Sequence, residues 1–106
     1  MKKLRVLSVA RATTVLAAAW ILSGCGGALY AVQASSAVSK LEEARQLGAK
    51  KQAPYEYFYA REHMNKASEE AAQGDYGDAI DLAEIAEEAA DKAIRLTREA
   101  KRGAGR

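Results

Sequence analysis

"YGDAIDLAEIAEEAADKAIRLTREAK", residues 76–101, carries the most regular pattern in the chain. Ala79, Ala83, Ala86, Ala90, Ala93, Thr97 and Ala100 follow one another at alternating steps of four and three, which places them on one stripe of an α-helix. The pattern predicts a helix over about 76–101, nearly 40 Å long at about 1.5 Å per residue. Its stripe is alanine rather than leucine. It buries little apolar area but lets a second helix approach closely, towards the short end of the roughly 8–10 Å range for packed helices.

The stretch just upstream supplies such a helix. Tyr57, Ala60, Met64, Ala67 and Ala71 recur at steps of three, four, three and four, predicting a helix over about 54–73. Pro54 suits its first turn, where no backbone N–H is needed. In the connecting "QGDYGD", Gly74 can end the second helix, and Asp75 or Asp78 can accept hydrogen bonds from the free N–H groups of the third. Two alanine-faced helices joined by a tight turn should form a closely packed antiparallel hairpin.

Further upstream, "GAKKQAP" (48–54) breaks the helical pattern with Gly48 and Pro54. Before it, Tyr30, Ala34, Ala37, Leu41, Ala44 and Gly48 form another stripe, predicting a first helix over about 29–47. Ser35, Ser36 and Ser39 lower its propensity, so it is expected to be the looser of the three. Ile80, Leu82, Ile85, Ile94 and Leu96 flank the alanine stripe of the third helix and are available to this first helix or to a partner protein. The fold class is therefore all-α, an alanine-rich helical hairpin (53–102) preceded by a looser helix and linker (29–52) and followed by a short flexible tail (103–106).

The N-terminal segment has a different organisation. "MKKLR" is a positive start and "ATTVLAAAWIL" (12–22) an apolar run ending in small residues, the order of a secretory signal. The run is shorter than the roughly 20 residues that span a bilayer, and Arg11 blocks its extension. Leu22-Ser23-Gly24-Cys25 resembles the bacterial lipobox. That resemblance implies a signal peptide over 1–24, cleavage before Cys25, a diacylglyceryl group on its sulfur and an acyl group on its new amine. Gly26 stands where an inner-membrane lipoprotein often has aspartate, which by the same resemblance implies the outer membrane, facing the periplasm. Gly24, Gly26 and Gly27 suggest a flexible, lipid-anchored tether over 25–28.

Charge and cysteine content narrow the function. The net charge of the 106 residues is +2, but Lys2, Lys3, Arg5 and Arg11 lie in the signal-like segment, which has no acid, so the remainder is net acidic and gives no support to a nucleic-acid partner. A single cysteine excludes an internal disulfide. His63 is the only histidine and lacks the second histidine of a zinc-protease helix. The acids from Glu69 to Asp91 lack the alternate spacing around a glycine that a calcium loop requires. No catalytic residue, metal site or cofactor beyond a covalent lipid on Cys25 is expected.

Tyr55, Tyr57, Phe58 and Tyr59 gather most of the aromatic mass. Neighbours on a helix point about 100° apart, so these side chains cannot all face one core. They are either an exposed interaction surface, suited to protein or to sugar rings, or plugs for the end of a thin core.

Two resemblances bear on the hairpin. "GDYGDAIDLAEIAEEA" looks like the turn and second helix of a tetratricopeptide repeat, through Gly74, Tyr76, Ala79 and Ala86, although one hairpin is fewer than such arrays need. Ala53 to Arg102 is similar to a domain of unknown function of the DUF4398 type, found in small bacterial envelope lipoproteins, through Pro54, Tyr55, Glu56, Tyr57, Ala60, Ala67, Tyr76, Ala79, Ala83 and Ala86. That likeness implies a non-enzymatic outer-membrane lipoprotein, a structural or interaction component of the envelope. Its partners would be the membrane, through the lipid, and an envelope protein of the OmpA-like, peptidoglycan-associated kind. A tetratricopeptide-like adaptor or chaperone-like assembly factor is the alternative. Pairing of the first helix with a second copy stays open.

Overall fold

The computed structural model describes the backbone of residues 2–105, with side chains at Arg5, Val6, Ser8, Val9 and throughout 25–105. The chain is helical in four elements: α1 (Lys2–Leu47), α2 (Ala49–Gln52), α3 (Pro54–Ala72) and α4 (Tyr76–Ala104). The α4 helix is central, and α1 and α3 each pack on it far more than on one another. The result is a rod of 87 × 20 × 15 Å.

The alanine stripe does what its spacing implies. Ala79, Ala83, Ala86, Ala90, Ala93 and Thr97 are buried on α4, facing Tyr57, Ala60, Met64 and Ala67 on α3 and Ala37 and Ala44 on α1. Ala100 is the exception. The chain opposite α4 ends with Ala49 and Ala53 beside Ala93 and Ile94, so the last turns of α4 project beyond the bundle and Ala100 is exposed.

The turn between α3 and α4 is a Schellman closure. Gly74 takes φ 83°, while Asp75 N–H donates to Glu70 O at 2.9 Å and Gly74 N–H to Ala71 O at 3.0 Å, which satisfies carbonyls at the end of α3. Gly48, at φ 92°, ends α1 in the same left-handed region. Asp75 then caps α4, its side chain accepting from Asp78 N–H.

The first helix differs from its expectation in extent and in role. It begins at Lys2 rather than near residue 29, and residues 25–28, where a flexible tether is expected, are helical. Nor is it loosely attached. Gln33 Nε2 and Ser36 Oγ both donate to the Glu87 carboxylate, at 2.5 and 2.6 Å, and Lys40–Asp91 (2.9 Å) and Arg98–Glu43 (2.7 Å) tie the same helix to α4. Ser36, counted against the helix by propensity, is thus one of the groups that fasten it. At the other end α4 continues through Gly103 and Ala104, into the expected tail.

Candidate functional site

Pro54 starts α3 with a fixed φ, and the residues that follow set its two sides. Tyr57 leads the buried stripe and is 5% exposed, in a cluster with Ala44, Ala49, Ala53, Ala93 and Ile94. It is therefore a core residue and not part of an interaction surface. Tyr55, Phe58 and Tyr59 are 72, 38 and 41% exposed. The sequence left two roles open for the aromatic group; the structure buries Tyr57 and leaves the other three at the surface.

Tyr55, Tyr59 and His63 follow at steps of four and form a ladder on one side of α3. The rings of Tyr55 and Tyr59 stack with centroids 5.9 Å apart, and those of Tyr59 and His63 lie 4.1 Å apart. His63 Nδ1–H donates to Tyr59 O at 2.9 Å, which fixes the imidazole in the ladder. Phe58 packs edge-on to Tyr57 at 5.2 Å and lies under the Arg61 guanidinium at 4.8 Å. These aromatics are rigid and amphipathic, and they lose little conformational freedom when covered.

Two shallow depressions flank the ladder. One, about 600 Å³, lies between α3 and α4, with Tyr55 and Tyr59 on one wall and Ile85, Ala89, Lys92 and Arg95 on the other. Lys92 reaches Glu56 at 3.8 Å across it, while Arg95 and Glu88 form no ion pair among the described residues. The second, about 440 Å³, lies between Pro54, Phe58, Glu62 and the ladder. Sequence reasoning missed His63 as a ladder member, although the 55–59–63 spacing was there to read. The α4 wall had no local signal, because only tertiary packing brings Arg95 beside Tyr55.

Cys25 lies at the opposite end of the three-helix bundle, at the level of the α3–α4 turn, where α1 continues towards Lys2. Cys25 is exposed, and the side chains of Leu22, Ser23 and Gly24 fall outside the described set. Directly after it, the backbone of Gly26 and Gly27 lies against the Tyr76 ring. Tyr30, one turn further, has its ring centroid 6.4 Å from that of Tyr76 and donates from its hydroxyl to Ser68 Oγ at 3.4 Å.

Carboxylate oxygens of Glu70, Asp75 and Asp78 come within 4.8 Å of one another at the α3–α4 turn. Glu70 pairs with Lys66 at 2.8 Å, which raises the lysine pKa, and Asp75 caps α4. Turn formation and ion pairing account for this cluster.

Residues 32–104 match the family described as Domain of unknown function (DUF4398). The chain belongs to this family. The DUF4398 match begins at Val32 and not near residue 53, so it takes in the half of α1 that packs on α4 as well as the hairpin. It includes the Tyr55–His63 ladder and stops short of Cys25, Gly26 and Gly27. No curated protein and no solved structure matches the chain. No described helix is long and apolar enough to cross a membrane.

Proposed function

We propose that this DUF4398 chain is a non-enzymatic lipoprotein of the outer membrane. It is held by lipid on Cys25, faces the periplasm, and presents the Tyr55, Phe58 and Tyr59 face to another envelope component. The observation that carries this is the order of the N-terminal segment: a basic start, an apolar run, then Leu22-Ser23-Gly24-Cys25. The exposure of Cys25 is consistent with it. One acyl chain binds membranes only reversibly, whereas two or more, at about 0.8 kcal/mol per buried CH₂, hold a protein there stably. Lipidation alone would therefore give a small helical domain a permanent address.

The partner side rests on the exposed aromatics. Exposed Tyr and Phe are enriched at protein interfaces, and an envelope protein of the OmpA-like, peptidoglycan-associated kind is the partner implied by the resemblance to envelope lipoproteins. A second reading, a tetratricopeptide-like adaptor or assembly factor, is favoured by the depression between α3 and α4, whose apolar and charged walls suit a peptide segment.

Three measurements test these points. Cys25→Ser should remove metabolically incorporated palmitate and membrane retention together; a variant that keeps both refutes the anchor. Tyr55→Ala with Tyr59→Ala should abolish crosslinking to the partner in intact envelopes while helicity is kept. Undiminished crosslinking refutes the aromatic face. Sedimentation of the protein with purified peptidoglycan separates direct wall binding from binding through a protein.

A further inference from the structure

Gly26 and Gly27 pose a question that their composition answers wrongly. Glycine after an anchor suggests freedom, but neither residue uses a conformation reserved for glycine: among the described residues, positive φ occurs only at Gly48 and Gly74. Both lie within α1, where glycine is a poor helix former. What they provide is proximity. A Cβ on Gly26 would sit 3.2 Å from both Cβ and Cδ2 of Tyr76, and one on Gly27 would meet the same ring from 3.5 Å. A methyl group at residue 26 would force the ring to shift by a few tenths of an ångström, and a long side chain there would displace it further.

Tyr30 closes the seat on a further side. It follows Gly26 by one turn and flanks the Tyr76 ring at 6.4 Å. Its hydroxyl reaches Ser68 on α3, so the segment after Cys25 is held by both helices of the hairpin. Tyr76 is itself fixed, as the first residue of α4 directly after the Gly74 closure.

We infer that residues 26–30 are a docked helical stem, clamped by Tyr76, which holds the lipid-bearing cysteine at the α3–α4 turn and the aromatic face at the opposite pole. The stem follows from packing alone, whereas the polarity relative to a membrane rests on the proposed anchor at Cys25. At about 1.5 Å per residue, Tyr55 lies about 26 Å along α3 from Ala72, the end beside Tyr76. A loose tether would let the Tyr55–Tyr59 ladder sweep the bilayer surface. A docked stem holds it away, towards components deeper in the periplasm.

The test uses the full chain processed in its host, purified and placed in phospholipid vesicles. Spin labels on Leu29→Cys and Asp81→Cys should give one narrow distance, and amides 29–33, whose carbonyl acceptors at residues 25–29 remain after processing, should exchange slowly. Gly26→Leu and Tyr76→Ala should each broaden the distance and speed exchange at least about tenfold. A broad distance and fast exchange already present in the parent chain overturn the stem. Fluorophores on Asp78→Cys and Gln52→Cys, paired with a headgroup acceptor, should show strong transfer only from Asp78→Cys, and equal transfer from both overturns the polarity. The mass of Cys25 in the same sample separates the two claims. Lipid present with a broad distance refutes the stem alone; lipid absent with a narrow distance refutes the anchor, and the polarity with it.

Discussion

At one end of the three-helix bundle Tyr76 presses on the backbone of Gly26 and Gly27; at the other, Tyr55 and Tyr59 stack on each other and face solvent. The residue type is the same and the environments are opposite. At the first end a third helix stands across from the ring, and removal of side chains from that helix allows contact. At the second, the ladder lines the rim of the shallow α3–α4 depression, and its rings stay largely open to solvent. Tyr57, two residues from Tyr55, gives the comparison in miniature, since a rotation of about 200° along the helix takes it from solvent to core.

The sharpest way to break this contrast is to truncate both tyrosines. Tyr57→Ala should cost about 3 kcal/mol, as for other buried aromatics, while Tyr55→Ala should stay within about 0.5 kcal/mol, as exposed positions do. Thermal unfolding reads both, and partner crosslinking should rank Tyr55 the more important of the two in folded protein. Equal stability losses would erase the distinction between core plug and exposed face.

Glycines supply the next test. Gly48 and Gly74 sit at φ 92° and 83°, where an alanine costs about 1–2 kcal/mol, so Gly48→Ala and Gly74→Ala should each lower Tm by several degrees. Gly77, which has no positive φ and an open surrounding, should accept alanine without loss. This separates glycines used for conformation from those used otherwise.

Thr97 offers a gain. It is fully buried in the alanine stripe, and its Oγ1 has no hydrogen-bond partner among the described residues. Valine has the same branched shape without the hydroxyl, and an unsatisfied buried polar group costs about 1–3 kcal/mol. Thr97→Val should therefore raise stability by about 1 kcal/mol in denaturant unfolding.

The hairpin was legible because its information is local. Alternating steps of three and four fix a face, Pro54 and Gly74 fix the ends, and six of the seven stripe positions on α4 are buried as the pattern required. What failed was whatever depended on a distant segment. The serines of α1 weaken it locally, yet Ser36 bonds Glu87 across the interface. The glycines after Cys25 suggest a tether, yet Tyr76, distant in sequence, makes them a seat. For the candidate surface, the aromatic cluster was visible, but its division into Tyr57 inside and the ladder outside needed the register against α4. The contribution of Arg95 and Lys92 was not visible at all.

The smallest effects come from surface charge. The Arg45 guanidinium, with the Gln46 amide, holds the Glu42 carboxyl down to about 2. Because its folded pKa is depressed, this contribution is full above about pH 4.5 and is lost as pH falls towards 2. Glu42→Gln should slightly lower Tm at neutral pH and flatten its decline over that acid window. The Asp91 carboxylate raises the pKa of Lys40, so the lysine side of this one α1–α4 ion pair is fully charged at neutral pH and its contribution is lost as pH rises through the raised value. Lys40→Met should remove that alkaline limb and leave the acid one unchanged.

The most direct measurement is the intact mass of the protein extracted from envelopes, read together with its tryptophan emission. The account predicts a chain that begins at Cys25, carries the mass of a diacylglyceryl and an acyl group, and shows no tryptophan emission because Trp20 has been removed. A chain that retains Met1 to Gly24 with an unmodified Cys25 would contradict it.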